Sequence, residues 1–214
     1  MQYKVLLKME KERDYIKDIA EIRTMMERSS KFLSLSGWAG ILAGIYALVG
    51  AYIAHAYLRF RPIETGYSAD GIASSDLVKV CVLAAVVLVL SIGTAIYLSC
   101  RRATKRAEPL WNATSRRLVS NVSVPLATGG ILALVFISKG LIGLLAPVTL
   151  VFYGLALYSA GSITFREVKA LGMIQITLGL AGSFFVEYGL LFWAAGFGLM
   201  HIVYGLYIHL KYER

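Results

Sequence analysis

The sequence predicts an all-α polytopic membrane protein with six transmembrane helices in three helical hairpins, preceded by an amphipathic cytosolic helix. Of the 214 residues, 57% are apolar and only 16% are charged, whereas soluble domains carry about 25% charged residues. The mean hydropathy of +0.65 agrees with this bias. The apolar residues gather in six runs of roughly the 20 residues that cross a bilayer as a helix. These runs are residues 32–58, 77–100, 118–139, 140–160, 170–187 and 189–209.

The runs divide the chain into an N-terminal segment (1–31), a bundle (32–210) and a short tail (211–214). In the N-terminal segment, apolar residues recur at three- and four-residue steps between charged ones, which predicts an amphipathic helix. The apolar positions are Tyr15, Ile16, Ile19, Ile22 and Met26. This helix is expected to lie on the membrane surface or against the bundle, and contact with a second copy of the chain is the alternative.

The charges predict the orientation of the bundle. With a cytosolic N-terminus, the outer side carries four cations (Arg59, Arg61, Lys79 and Lys139) and four acids, so the whole net charge of +9 falls on the inner side. An excess of Lys and Arg marks the cytosolic side of membrane proteins. Both termini are therefore expected in the cytosol. The basic balance is explained by topology, and the chain has no basic domain that would bind nucleic acid.

The link between the second and third runs is strongly basic and carries a tryptophan. Such a link is suited to the level of lipid headgroups, where it is expected to contact anionic lipid or a protein partner in addition to the bilayer itself. The residues concerned are Arg101, Arg102, Lys105, Arg106, Trp111, Arg116 and Arg117.

Polar side chains inside the apolar runs are candidates for function, because burying them in lipid is costly. Gln175 lies fourteen residues before Gly189 and His201 lies twelve after it. The two are therefore expected at similar depth on neighbouring antiparallel helices, within reach of a hydrogen bond. They either hold the two helices together or, because His201 can titrate near neutral pH, take part in a path for a proton or small solute. Glu187, in the turn between them, is a solvated residue or an outer proton acceptor.

No metal or cofactor site is predicted. His55, His201 and His209 fall at different depths without an acidic neighbour, a pattern that disfavours a metal site. The sequence has no nucleophile elbow, no phosphate-binding loop and no paired carboxylates within the runs. An enzyme is therefore disfavoured, and an enzyme acting on lipid would lack the residues it needs.

Small residues indicate close helix packing. Gly40 and Gly44 form a GxxxG step in the first run, and Ala194 and Gly198 form a similar step in the sixth. Such steps let helices approach closely, mostly within one bundle, with self-association as the minority alternative.

The second helices of the three hairpins share a short pattern, a glycine followed by an aliphatic residue and an aromatic ring. This pattern predicts a hairpin repeated three times about an axis along the membrane normal. The three stretches are residues 93–97, 154–158 and 205–209.

The six runs, the basic links and the stretch from Gly189 to Gly198 together resemble the HdeD-type acid-resistance membrane proteins of bacteria. The resemblance covers residues 119–209, and the N-terminal helix and the longer first outer loop depart from the pattern. It implies a multi-pass protein of the bacterial inner membrane that is linked to stress, with no established chemistry.

Two functions are expected from these observations. In the first, the bundle passes or senses a proton or small solute, with His201 and Gln175 as the working residues. In the second, the spans anchor an interaction or stress-response protein whose cytosolic helix and basic link bind a partner or anionic lipid.

Overall fold

The structure, a computed structural model, describes residues 36–60, 74–105, 111 and 113–213. These residues form helices and turns, with no strand among them. The six helices are α1 (Gly37–Ala56), α2 (Ser74–Lys105), α3 (Ala113–Ser138), α4 (Leu145–Ala160), α5 (Arg166–Phe184) and α6 (Val186–Glu213). The predicted N-terminal amphipathic helix and Arg106 lie outside the described residues.

Five of these helices are long and apolar enough to cross a membrane. They are α1, α2, α3, α6, and α4 together with the 3-10 turn Ile142–Leu144 that precedes it. Helix α5 has 19 residues, but it is less apolar because Arg166, Glu167 and Lys169 open it and Gln175 lies in its middle. The fold is therefore all-helical and compatible with a membrane bundle, as the sequence predicted.

Apolar side chains cover the outward surfaces of α2 and α3. None of residues 77–100 in α2 is buried. The exposed side chains include Val89 of α2 at 68% and Leu134 of α3 at 67% of their full accessibility. A soluble monomer rarely exposes an apolar area of this extent, whereas helices surrounded by lipid require it.

The helices alternate in direction, so the N-termini of α1, α3 and α5 lie at the same end as the C-termini of α2, α4 and α6. A small apolar core at this end joins residues from α3, α4, α5 and α6: Leu118, Val122, Ala160, Val168 and Ile208. We call this end of the bundle the basic end. It carries Arg101, Arg102, Arg116, Arg117, Arg166 and Lys211.

The packing order differs in one respect from three separate hairpins. Helices α1 and α2 pack together, as do α3 and α4, in agreement with the predicted hairpins. However, α5 packs more extensively against α4 than against α6, and the main partner of α6 is α1. Glycines explain this packing order, because they let the backbones of α4 and α5, and those of α1 and α6, approach closely.

The crossing of α1 and α6 has no room for side chains at its glycines. A Cβ atom on Gly37 would lie 2.5 Å from the carbonyl oxygen of Gly205, and one on Gly44 would lie 2.6 Å from that of Gly198. A Cβ atom on Gly205 would lie 2.6 Å from the amide nitrogen of Ile41. Gly40 also faces this crossing, next to the Cα atom of Gly205.

The crossing of α5 and α4 repeats this arrangement residue by residue. A Cβ atom on Gly172 would lie 2.7 Å from the carbonyl oxygen of Gly154, and one on Gly179 would lie 2.8 Å from that of Pro147. A Cβ atom on Gly154 would lie 2.8 Å from the amide nitrogen of Ile176. In chain order, Gly172, Ile176 and Gly179 match Gly37, Ile41 and Gly44, while Pro147 and Gly154 match Gly198 and Gly205.

In both crossings, then, the second helix of one hairpin meets the first helix of another. The same rule would bring α2 against α3, with Gly93 in the place of Gly154 and Gly205. Instead, nothing lies within 4 Å of a Cβ atom on Gly93, or of one on Gly130 in α3. The described structure contains two closed crossings of this kind, and the faces that would form a third are open.

Candidate functional site

The candidate site lies where α4, α5 and α6 meet. Gln175 of α5 is fully buried and His201 of α6 is 6% exposed. Tyr153 of α4 approaches His201 from the other side. Each residue comes from an apolar helix, so their polar atoms must find partners within the bundle.

One backbone carbonyl holds the two predicted residues together. The Nε2 atom of Gln175 donates to the carbonyl oxygen of Gly196 at 2.8 Å, and the Nδ1 atom of His201 lies 3.0 Å from the same oxygen. Gly196 belongs to a π-helical segment, Ala194–Met200, and such segments often occur at functional sites. Because a carbonyl oxygen only accepts hydrogen bonds, Nδ1 of His201 carries a hydrogen.

The other ring nitrogen of His201 is bound by a tyrosine. The hydroxyl of Tyr153 lies 2.9 Å from Nε2. In a neutral imidazole with hydrogen on Nδ1, Nε2 is an acceptor, so the hydroxyl of Tyr153 donates to it. The tautomer of His201 is therefore determined by its two neighbours.

This tautomer changes the expected relationship between Gln175 and His201. The Nε2 atom of Gln175 lies 3.4 Å from Nδ1 of His201, but both atoms are then donors. The two side chains are joined through the Gly196 carbonyl, rather than by a direct hydrogen bond across the hairpin.

The amide oxygen of Gln175 has no hydrogen-bond partner among the described residues. Turning the amide over would place this oxygen against the carbonyl oxygen of Gly196, so the observed orientation is favoured. Gly196 is closely packed, because a Cβ atom there would lie 2.5 Å from Leu150 and would also meet the oxygen of Gln175. An unpaired buried acceptor costs about 1–3 kcal/mol.

Aromatic rings enclose the imidazole. The ring centroids of Phe197 and His201 lie 5.9 Å apart in a stacked arrangement, and Tyr153 and Phe197 lie 4.9 Å apart. Trp193 continues the group at 5.0 Å from Phe197. The site is therefore a compact polar contact inside an aromatic shell.

The basic end contains a second group of polar contacts, centred on Glu213. Its Oε1 atom accepts a hydrogen bond from the backbone amide of Gly37 at 2.7 Å. The same oxygen forms an ion pair with Arg102. Its Oε2 atom lies 2.6 Å from Nδ1 of His209. His209 therefore has an acidic neighbour, contrary to the expectation from the sequence. A single carboxylate thus joins α1, α2 and α6, and it places negative charge at the positive N-terminus of α1.

A third group joins α5 to α6 at the same end. Oε1 of Glu167 accepts hydrogen bonds from Lys211 at 2.6 Å and from the hydroxyl of Tyr212 at 3.1 Å. Burial favours a higher pKa for Glu167, but the hydrogen bonds from Lys211, its own backbone and Tyr212, together with the charge of Lys211, hold this pKa below its usual value.

The other predicted residues are spread over the molecule. Glu187 is exposed in the 3-10 turn Val186–Tyr188, at the end opposite the basic end. Gly40, Gly44 and Gly198 lie in the α1–α6 crossing, and Ala194 begins the π-helical segment.

Among the basic-link residues, Arg102 is engaged with Glu213. Four others are exposed: Arg101, Trp111, Arg116 and Arg117. The side chain of Lys105, like Arg106, lies outside the described residues. Within the described part of the chain, no group of three His, Cys, Asp or Glu residues could hold a metal ion.

Sequence reasoning missed Tyr153, the Gly196 carbonyl and Glu213. Tyr153 is the only one with a signal, because it lies beside the repeated glycine pattern, where Tyr204 takes the matching place in α6. The π-helical segment and the long-range contacts of Glu213 have no local pattern that would indicate them.

Comparison with known proteins adds no family. The chain matches no family model, no curated protein and no solved structure. The class that its fold defines is an all-helical protein compatible with a membrane bundle.

Proposed function

We propose that this chain is a membrane protein that binds a proton at His201 and passes or senses it within the helix bundle. The observation that carries the proposal is the position of His201, a buried imidazole whose two nitrogens are each held by a different neighbour. Histidine is the side chain that changes charge near neutral pH. Gln175 takes part by sharing the Gly196 carbonyl.

A proton suits this site better than a larger solute. Gln175 is fully buried, His201 is almost so, and aromatic rings pack around the imidazole. A solute would have to separate packed helices to reach His201, whereas a proton needs only hydrogen-bonded groups. The proposal therefore favours the proton among the alternatives that the sequence left open.

Protonation would change the hydrogen bonds of the site. In the charged imidazolium both ring nitrogens are donors. The bond from Nδ1 to Gly196 survives, but Nε2 gains a hydrogen and Tyr153 can then only accept. The hydroxyl of Tyr153 has to turn its hydrogen toward another acceptor, so binding one proton reorganises the contact between α4 and α6.

Polar groups continue from the site toward the basic end. Tyr204, one turn beyond His201 in α6, is half-buried and packs against the small apolar core of the basic end. Tyr212 in turn hydrogen-bonds to Glu167. This series of hydroxyls and a carboxylate is the route we propose between His201 and the basic end.

The proposal includes a membrane orientation. Helix α5 acts as the sixth span, and the basic end with both termini faces the cytosol, as the excess of Lys and Arg predicts. The resemblance to HdeD-type proteins favours a bacterial inner membrane as the location.

The test is proton movement into proteoliposomes under a pH gradient or voltage, followed with a trapped pH-sensitive dye. We expect His201→Leu to abolish the flux, and Tyr153→Phe to lower it. His55→Leu is the matched control, because His55 is exposed near the opposite end of α1 and its loss should leave the flux unchanged.

A protein that senses protons without passing them would show no flux. In that case, the imidazole of His201 should still titrate, and its nitrogen-15 resonances should shift between two forms with pH. If the wild-type protein shows neither flux nor titration of His201, the proposal is wrong, and the membrane-anchored interaction protein becomes the better hypothesis.

A further inference from the structure

Among the described residues, the basic end has two carboxylates for three helix N-termini. The N-terminus of α1 receives the carboxylate of Glu213, and Glu167 lies in the first turn of α5. The first turn of α3, the third N-terminus at this end, contains no acid. Because helix N-termini attract negative charge, α3 is the one without a described anion.

Arginines without described partners lie beside this N-terminus. Arg116 and Arg117 are in the first turns of α3, and Arg101 is near the C-terminus of α2; all three are exposed. Both described carboxylates of the basic end are already engaged, Glu213 by Arg102 and His209, and Glu167 by Lys211. The positive charge shared by α2 and α3 therefore has no counterpart within the described chain.

The same two helices also fail to make the third glycine crossing. Residues 106–112 connect them, so their basic ends lie within about 28 Å of each other. Their faces at Gly93 and Gly130 are open. Like charges at the ends of both helices oppose their approach, and lipid chains are as apolar as the side chains they would meet, so no hydrophobic force closes the gap.

We propose that an anionic phospholipid occupies the place between α2 and α3. Its phosphate binds Arg101, Arg116 and Arg117 near the N-terminus of α3, because arginine matches phosphate with paired hydrogen bonds. Its acyl chains lie on the exposed apolar surfaces of α2 and α3. The lipid thus supplies the negative charge that Glu213 and Glu167 supply at the other two N-termini.

The test is lipid retention. The full chain, purified in detergent and mixed with equal amounts of phosphatidylglycerol and phosphatidylcholine, is analysed by native mass spectrometry. We expect phosphatidylglycerol to be retained selectively. The triple variant Arg101→Gln, Arg116→Gln, Arg117→Gln should bind it at least roughly tenfold more weakly, and replacing the same three residues by lysine should restore binding only in part.

The matched control is Arg59→Gln, Lys139→Gln, Arg166→Gln, which removes the same charge from other exposed positions and should leave retention unchanged. Equal retention by the two triple variants would overturn the proposal. Equally tight binding of inorganic phosphate alone would also overturn it, because the site would then recognise a free anion.

A second copy of the chain is the competing occupant. Ser123 lies 17 residues before Gly140, as Gly172 lies 17 residues before Gly189, so Ser123 would face Gly93 in a third crossing. Two single-cysteine variants, Gly93→Cys and Ser123→Cys, are made without Cys81 and Cys100 and reconstituted together. The proposal expects no more cross-linking between chains than the control pair Ala95→Cys and Ser123→Cys gives, since Ala95 lies at a similar depth but points away from the face of Gly93. Efficient cross-linking specific to Gly93 would show that protein fills the gap.

Discussion

The carboxylate of Glu213 accepts a hydrogen bond from the backbone amide of Gly37 at 2.7 Å, although 176 residues separate them in the chain. Through this contact, the end of α6 holds the start of α1. Arg102 adds α2 to the same carboxylate. Three polar or charged groups from three helices, the Gly37 amide, Arg102 and His209, thus depend on one side chain.

Replacing Glu213 should therefore destabilise the bundle. We expect Glu213→Ala to lower the free energy of unfolding by about 1–3 kcal/mol, because Arg102 and the Gly37 amide lose their partner in a partly buried place. Unfolding in detergent by a graded denaturant measures the change. Glu187→Ala is the control, since Glu187 is exposed in a turn; a loss of the same size there would contradict the explanation.

The glycines of the two closed crossings should be equally intolerant of substitution. Gly37→Ala and Gly172→Ala place a methyl group against a carbonyl oxygen, and we expect each to cost about 1–3 kcal/mol, as overpacking usually does. Gly93→Ala should be neutral, or stabilising by up to about 1 kcal/mol, because the site is open and alanine favours the helix. Similar effects at Gly93 and Gly172 would mean that the two sites are not packed differently.

The tautomer of His201 can be observed directly. At neutral pH, nitrogen-15 spectra of labelled protein should show the hydrogen on Nδ1 and a hydrogen-bonded, unprotonated Nε2. In Tyr153→Phe, the Nε2 resonance should move to the position of a free acceptor, and stability should fall by roughly 0.6 kcal/mol, the average for such bonds in membranes. A hydrogen found on Nε2 in the wild-type protein at neutral pH would rule out this tautomer and the hydrogen bond from Tyr153.

The Glu167 contact predicts the response of stability to acid. The pKa of Glu167 lies below the ordinary 4.5, so its contribution is complete above pH 4.5 and is lost as the pH falls through its lowered pKa in the folded protein. The melting temperature of the wild-type protein should therefore drop more steeply below pH 4.5 than that of Glu167→Gln. Parallel curves for the two proteins would show that this carboxylate carries no such linkage.

The sequence predicts the helices well and their partners less well. Runs of apolar residues determine where helices form, because the period and length of these runs are local properties. The pairing of α6 with α1 could not be predicted, since it joins the two ends of the bundle through glycines that are common throughout this chain. The likeness between Gly154 and Gly205 did indicate equivalent positions, and both prove to lie in glycine crossings.

For the candidate site, counting residues from Gly189 predicts that Gln175 and His201 lie at the same depth. In the structure, the two side chains lie next to each other. The carbonyl that joins them could not be predicted, because it depends on a π-helical segment that has no residue pattern of its own. Tyr153 was missed for a different reason, since a tyrosine in an apolar run is usually a packing residue. Its role depends on the way α4 turns toward α6.

The pairing of α1 with α6 has a consequence for the order of assembly. During synthesis α4 and α5 become neighbours within a few dozen residues, so their crossing can form early. The equivalent crossing of α1 has to wait until Gly198 and Gly205 of α6 have left the ribosome, after the four helices in between have been made. Two structurally matching contacts therefore form at different stages of biogenesis, and a chain cut short before Gly198 would leave α1 without its glycine crossing.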